Sequence, residues 1–301
     1  MNKNLINRYI WLVDTLRSRG AMTRGEINRL WLKSALSGGN PLPERSFYHY
    51  RRAIEEIFKI EIACNRRGEY YIKKDGAQGA NGITDWLLDS FAVNSLLADT
   101  PDIADRIEIE EVPSAREYLP AVVGAIRHGH VIRFDYSAFN RSMTEHGIEF
   151  RPYFLKRYKQ RWYMTGERGR NGDIRTYALD RVKRMEATEE KFLKPEDLKI
   201  GDLFGNIVGV TSTQADERTV RLRASRTQAK YLRALPLHGS QHEEETGENH
   251  AVFRYRLKLN YELVHELLGL GTGIEVLEPK ELRLMLVNEL KKTLDQYTNF
   301  S

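Results

Sequence analysis

The hydrophobic period of this chain changes at His130, and that change limits the architectures open to it. Before it, apolar residues recur at three- and four-residue steps, as amphipathic helices require. Leu5, Ile6, Tyr9, Ile10, Leu12, Val13 and Leu16 form one such series, ending at Gly20. Thr23 and Glu26 stand at capping-box spacing ahead of a second series, Ile27, Leu30, Trp31 and Ala35. The Ser-Gly-Gly-Asn-Pro run at 37–41 stops it. A third helix is expected from Pro43 or Glu44, with Phe47, Tyr50, Ile54, Ile57 and Phe58 inward. From His130 the period is two. His130–Ser137, 148–155, 161–166, 173–179 and 180–185 read as short strands, with turns at Lys159-Gln160 and Asn171-Gly172. Short strands this closely spaced point to a small antiparallel barrel.

Charge divides the 301 residues in a way that matches the elements. Residues 1–74 carry a net +8, residues 75–120 a net −8, residues 121–195 a net +7 and residues 196–301 a net −2, within an overall +5. Two basic units around an acidic connector point to two polyanion-facing surfaces. No run approaches 18 apolar residues and the mean hydropathy is −0.55, which argues against a membrane-spanning helix. Met1–Leu5 lacks the features of a secretory leader, and the single Cys64 precludes an intrachain disulfide, so a cytoplasmic protein is expected.

The outward face of the third helix begins with Arg45, Ser46, Tyr48, His49 and Arg52, donors suited to base edges and phosphates. After it, 60–64 and 69–72 alternate around Asn65-Arg66-Arg67-Gly68, a β-hairpin with a basic tip. Three helices and a basic hairpin make a winged helix-turn-helix over residues 1–74, with Arg66 and Arg67 set against phosphate or the minor groove. A small α+β module with a solvated charged helix fits the same residues, as does a protein-interaction module. DNA binding is the reading preferred here. Residues 75–127 form a helical connector, with helical patterns at 83–97 and 114–127 that serve either dimerisation and signal relay or packing.

In the C-terminal third, 196–209 is irregular, and 219–224, 251–259 and 273–277 read as strands. Helices are expected at 225–235, 261–268 and from Pro279 to Tyr297, with a Gly-containing hairpin near 245–248. The order β-α-β-β-α-β points to a ferredoxin-like domain over 196–301. Arg221, Arg223, Arg254 and Arg256 either extend a basic surface or belong to a solvated strand face, the latter being favoured.

Trp162-Tyr163-Met164, preceded by Arg151-Pro152-Tyr153-Phe154-Leu155 and followed by Ala178-Leu179-Asp180-Arg181-Val182, resembles the WYL domain. Met164 stands where that family has Leu, a volume-conserving change. With the winged helix upstream, the chain resembles bacterial WYL-domain transcriptional regulators, and Leu235–His242 resembles part of the extension that follows such domains. The resemblance implies an Sm- or SH3-like barrel over 128–195 that senses a nucleotide or single-stranded nucleic-acid effector. Mapped onto this chain, its ligand-binding residues are Tyr136, Ser137, Arg151, Tyr163, Arg175 and Arg181; Arg151 stands where related sequences often have His. Arginines suit phosphate and tyrosines suit bases. Trp162 reads as a core aromatic, and for Tyr136 and Tyr163 packing and ligand contact stand level.

No catalytic motif is present. The chain has no P-loop and no G-x-S-x-G elbow, and the glycine run at 269–273 precedes a strand, as a turn does. His238 and His242 lack a third ligand, and His128 and His130 flank a turn. Cys64 has no activating neighbour in sequence. The expected protein is a non-enzymatic α+β multidomain regulator, without cofactor or metal and with no membrane partner. It acts as a homodimer on a double-stranded DNA operator. The alternative is an accessory subunit that binds nucleic acid and modulates an enzyme without controlling transcription.

Overall fold

The computed structural model describes residues 3–73, 115–170 and 172–298, with 86–88, 90, 93, 106–108 and 110 between them. The chain divides into two compact units, Met1–Glu110 and Glu111–Ser301.

In the first unit, helices α1 (Lys3–Arg19), α2 (Arg24–Lys33) and α3 (Glu44–Phe58) enclose a core of Leu12, Val13, Ile27, Trp31, Phe47, Ile54 and Phe58. α1 stops where its periodicity does, at Gly20, whose φ of 80° a side chain would disfavour. The cap on α2 is reciprocal. The Glu26 amide donates to the Thr23 hydroxyl at 3.4 Å, and the Thr23 amide donates to the Glu26 carboxylate at 2.9 Å. That hydrogen bond holds the Glu26 carboxyl below its ordinary pKa.

A three-stranded antiparallel sheet follows, with β2 (Ile62–Cys64) and β3 (Glu69–Ile72) paired as expected and β1 (Met22–Thr23) on the other edge of β3. Two residues are too few to alternate, so β1 leaves no trace in the sequence pattern. Arg51 ties α3 to this sheet, since its guanidinium donates to the Ile62 carbonyl and stands 5.0 Å from the Tyr70 ring centroid.

The expected helix at 83–97 lies largely outside the described residues, where 86–88 are helical. The one expected from 114 begins as a 3-10 turn at Arg116–Tyr118 and becomes α4 (Leu119–His128). α4 packs on an antiparallel five-stranded sheet of β4 (His130–Tyr136), β5 (Glu145–Tyr158), β6 (Arg161–Arg168), β7 (Asp173–Ala178) and β8 (Val182–Lys191). The strand order is β7-β6-β5-β4-β8, and a 3-10 turn at Leu179–Arg181 joins β7 to β8. Ile132, Phe134, Phe150, Met164, Tyr177 and Leu179 fill the core with Val122 and Ala125 of α4, and Trp162 packs partly buried against them. Met164 is fully buried, consistent with a volume-conserving exchange.

A short helix, α5 (Ile200–Phe204), lies in the stretch expected to be irregular. The C-terminal domain is α+β, with β9 (Glu217–Ser225), α6 (Arg226–Ala234), β10 (His242–Thr246), β11 (His250–Lys258), α7 (Tyr261–Gly269), β12 (Ile274–Glu278) and α8 (Lys280–Thr298). Its four strands are all antiparallel in the order β10-β11-β9-β12. Ser225 caps α6 and Asn260 caps α7 through their side chains. Arg221 and Arg254 both pair with Glu244, Arg223 pairs with Glu275, and Arg256 with Glu217, at 2.5–2.8 Å. These four arginines form a solvated, charge-matched strand face instead of a basic surface.

Between α5 and β9 a short strap joins the two domains of this unit. The buried Asn260 side chain donates to the carbonyls of Val208 and Thr211. The Glu262 carboxylate accepts from the amides of Val210 and Thr211. Gly209 has φ 86°, and a Cβ there would lie 2.5 Å from the Glu262 side chain. From β5, Lys156 donates to the Gly209 carbonyl.

Candidate functional site

Two groups of side chains carry the functional expectations, one in each unit. In the first unit the buried residues of α3 (Phe47, Tyr50, Ile54, Phe58) leave the opposite side of the helix outward. Arg45, Tyr48, His49 and Arg52 are exposed there and Ser46 is half-buried. Arg66 and Arg67 are exposed at the turn between β2 and β3. Gly68, at φ 76°, closes that turn, and the Asn65 side chain accepts from the Arg67 and Glu69 amides.

Two of these residues also hold structure. The Tyr48 hydroxyl lies 3.3 Å from that of Tyr70, and His49 Nε2 lies 3.5 Å from the Tyr9 hydroxyl. The hydrogen bond with Tyr48, then burial, pushes the Tyr70 hydroxyl up to about 12. The guanidinium groups of Arg45, Arg52, Arg66 and Arg67 have no side-chain partner among the described residues. Arg51 was not singled out in sequence because it lies off the outward stripe, yet it joins helix to hairpin.

In the second unit, the end of β4, the middle of β6 and the turn after β7 converge. The Tyr136 hydroxyl accepts from the Ala178 amide at 3.3 Å, and the Ser137 amide donates to the Arg181 carbonyl at 3.0 Å. The Ser137 hydroxyl lies 2.8 Å from that of Thr144. Arg181 stacks its guanidinium 4.0 Å from the ring centroid of Phe139, whose side chain is exposed, and its buried Nε has no hydrogen-bond partner among the described residues. Burial raises the Tyr136 pKa, with the Arg181 charge pulling the other way. Tyr163 on β6 is raised by burial and also feels Arg161, Asp180 and Arg181. Tyr136, Ser137, Tyr163 and Arg181 therefore share one place.

Arg151 and Arg175 make their contacts elsewhere. Arg151 is buried before a bulge in β5, with Nη2 3.1 Å from Glu190 and Nη1 unpartnered. Arg175 is exposed and pairs with Asp173 at 2.8 Å.

Sequence reasoning missed three neighbours of this cluster. The Asp180 side chain is only 6% exposed, with one oxygen 3.5 Å from Arg161 and the other without a hydrogen-bond partner among the described residues. Phe139 lies in an irregular loop, where periodicity says nothing. Lys156 stands directly across from Tyr163, 4.4 Å above the Phe204 ring, and burial lowers its pKa to about 8. Among the described residues no group of three or more His, Cys, Asp or Glu side chains is placed to hold a metal ion. No helix among them is long and apolar enough to cross a membrane.

Residues 117–187 match the WYL domain and residues 216–294 match the WCX domain. No curated protein matches the chain. Among solved structures the chain is similar to proteasome accessory factor B/C (PafBC) of Arthrobacter aurescens, at 19% identity and a TM-score of 0.34. That similarity covers 96% of this chain and 46% of the other, so the chain spans under half the length of that relative. It is also similar to a CRISPR Cas-related protein at 10% identity and a TM-score of 0.39, covering 98% of this chain and 85% of that one. The charge-matched C-terminal sheet and the five-stranded sheet before it are thus the WCX and WYL domains of a WYL-domain protein.

Proposed function

We propose that this protein is a ligand-responsive, sequence-specific transcriptional regulator, without catalytic activity, that binds a DNA operator as a homodimer. On this reading residues 1–74 are a winged helix-turn-helix, 75–127 a connector, 128–195 a WYL sensor barrel and 196–301 a ferredoxin-like extension. The strand order β10-β11-β9-β12, all antiparallel, supports the last of these. The observation that carries the function is the outward face of α3. Arg45 and Arg52 there, with Arg66 and Arg67 on the hairpin turn, are exposed cations without a counter-ion among the described residues, and α3 has core on its other side. Such a surface suits a major groove flanked by phosphates.

The effector is a nucleotide or single-stranded nucleic acid, bound around Tyr136, Ser137, Tyr163 and Arg181. The unpartnered Nε of Arg181, beside two tyrosines and an exposed Phe139, supports that assignment. Arg151 and Arg175 are peripheral to it.

Fluorescence-anisotropy titration of the duplex upstream of the protein's own gene against a scrambled duplex, at two salt concentrations, tests the reading. A regulator prefers the upstream duplex by about a hundredfold or more, some 2.7 kcal/mol, at both concentrations. Arg52→Ala weakens that binding and leaves effector affinity unchanged. Equal affinities that collapse together with salt would leave only phosphate attraction and favour the accessory subunit.

A further inference from the structure

A cleft of about 560 Å³ opens where the end of α4, the bulged part of β5 and the segment after β8 meet. Its size lies within the range of small-molecule sites, roughly 300–1,000 Å³. Its composition is one-sided. Arg127, His128, Lys191 and Lys194 line it, and no carboxylate among the described residues does. Arg127 and Lys191 are exposed and make no ion pair or side-chain hydrogen bond among the described residues. Lys194 is held in place, donating to the carbonyls of Pro195 and Leu198 at 2.6 Å and standing 5.7 Å from the Phe154 ring centroid. The remaining lining is flat and apolar, chiefly Pro152, Phe154 and Phe192.

The backbone under the cleft is closely packed. The Phe192 amide donates to the Gly129 carbonyl at 2.7 Å, and a Cβ on Gly129 would lie 2.7 Å from the Phe192 carbonyl. Gly129 adopts φ 67° as the C-cap of α4. The cations thus stand on a fixed floor, and Arg127 in the last turn of α4 offsets the partial negative charge of that helix end.

We propose that this cleft is a second ligand site, for a nucleotide-type molecule: a phosphate bound by Arg127 and Lys191, with the aromatic ring against Phe154 and Phe192. Cations without counter-ions favour the anion, and apolar faces beside them favour a flat ring over a bare ion. The cleft has no residue in common with the Tyr136, Ser137, Tyr163 and Arg181 cluster, so the inference stands apart from the proposed effector site.

The test is calorimetric titration of the full-length protein with AMP, adenosine, inorganic phosphate and a short 5′-phosphorylated single strand. The proteins compared are the wild type, the double variant Arg127→Ala/Lys191→Ala, Arg181→Ala, and the triple variant that combines them. A nucleotide site binds AMP more tightly than adenosine or phosphate alone. In the Arg181→Ala background, which removes the contribution of the proposed effector site, AMP binding persists, and adding Arg127→Ala/Lys191→Ala lowers it at least about tenfold. Thermal melts accompany the titrations. If the double variant melts early, Arg127→Gln/Lys191→Gln replaces it and must give the same loss. Sensitivity of the phosphorylated strand to the same variants, with tighter binding than AMP, assigns the ligand as a strand end; AMP binding the tighter of the two assigns a free nucleotide. Absence of AMP binding in the Arg181→Ala background, phosphate binding there as tightly as AMP, or no further loss in the triple variant would each overturn the proposal.

Discussion

Lys156 shows how one residue reads both domains of the second unit. It donates to the Gly209 carbonyl, lies over Phe204 and faces Tyr163 across the sheet, in surroundings that disfavour its charge. Burial lowers its folded pKa to about 8 from an ordinary 10.5, with the Glu262 charge opposing that shift. Between those values the unfolded chain holds more protons than the folded one, so folding gains stability as pH rises through the window. Below about 8 the destabilisation is present in full. Melting temperatures of wild type and Lys156→Met at pH 7, 8, 9 and 10 check this, because other titrations cancel in the difference: wild type minus variant is expected to climb from pH 8 to pH 10. A flat difference would mean that the buried ammonium costs nothing. Arg181 gives a second residue-scale prediction. Its side chain stacks on the exposed Phe139 and reaches the Tyr136 hydroxyl, contacts at the edge of the core, so Arg181→Ala should still fold, keep operator affinity and abolish the effector response. Unfolding of that variant would withdraw the sensing assignment.

At the scale of elements, the reciprocal cap on α2 and the hairpin turn have separable consequences. Thr23→Ala removes both the side-chain acceptor at the Glu26 amide and the hydroxyl that donates to its carboxylate, and should cost about 1 kcal/mol in chemical denaturation. Arg66→Ala removes no side-chain hydrogen bond among the described residues, so stability should hold while the slope of log K against log salt for operator binding falls by about 1. An unchanged slope would place Arg66 away from phosphate. These elements were largely legible in the sequence. The capping box, the stop at Gly20 and the alternation from His130 are local signals that repeat within a window of a turn or two. The two-residue β1 and the five-residue α5 were not, because neither is long enough for its period to repeat.

Across the whole molecule, the proposed function couples two ligands and so makes a reciprocal prediction. If effector weakens operator affinity by some factor, operator must weaken effector affinity by the same factor. Anisotropy titrations of the operator with and without effector, and calorimetric titrations of the effector with and without operator, should return equal ratios. Unequal ratios at equilibrium would mean that the two ligands do not act through one pair of protein states.

The sequence by itself determined the order and kind of most elements, the WYL resemblance and the segregation of charge into two basic blocks. Each of these depends on residue types or on spacings of two to four residues, which a linear chain displays directly. Which charges are free was decided by the tertiary structure alone. Arg221, Arg223, Arg254 and Arg256 look like cations in sequence and are matched by Glu244, Glu275 and Glu217 once β9, β10, β11 and β12 are aligned. Arg151 belongs to Glu190, 39 residues away, and so leaves the cluster that keeps Arg181. Asp180 and Lys156 joined that cluster only through the pairing of β5, β6 and the turn after β7. An ion pair needs its partners within about 4 Å. For residues dozens of positions apart, that proximity is set by sheet order and register, which no local pattern encodes.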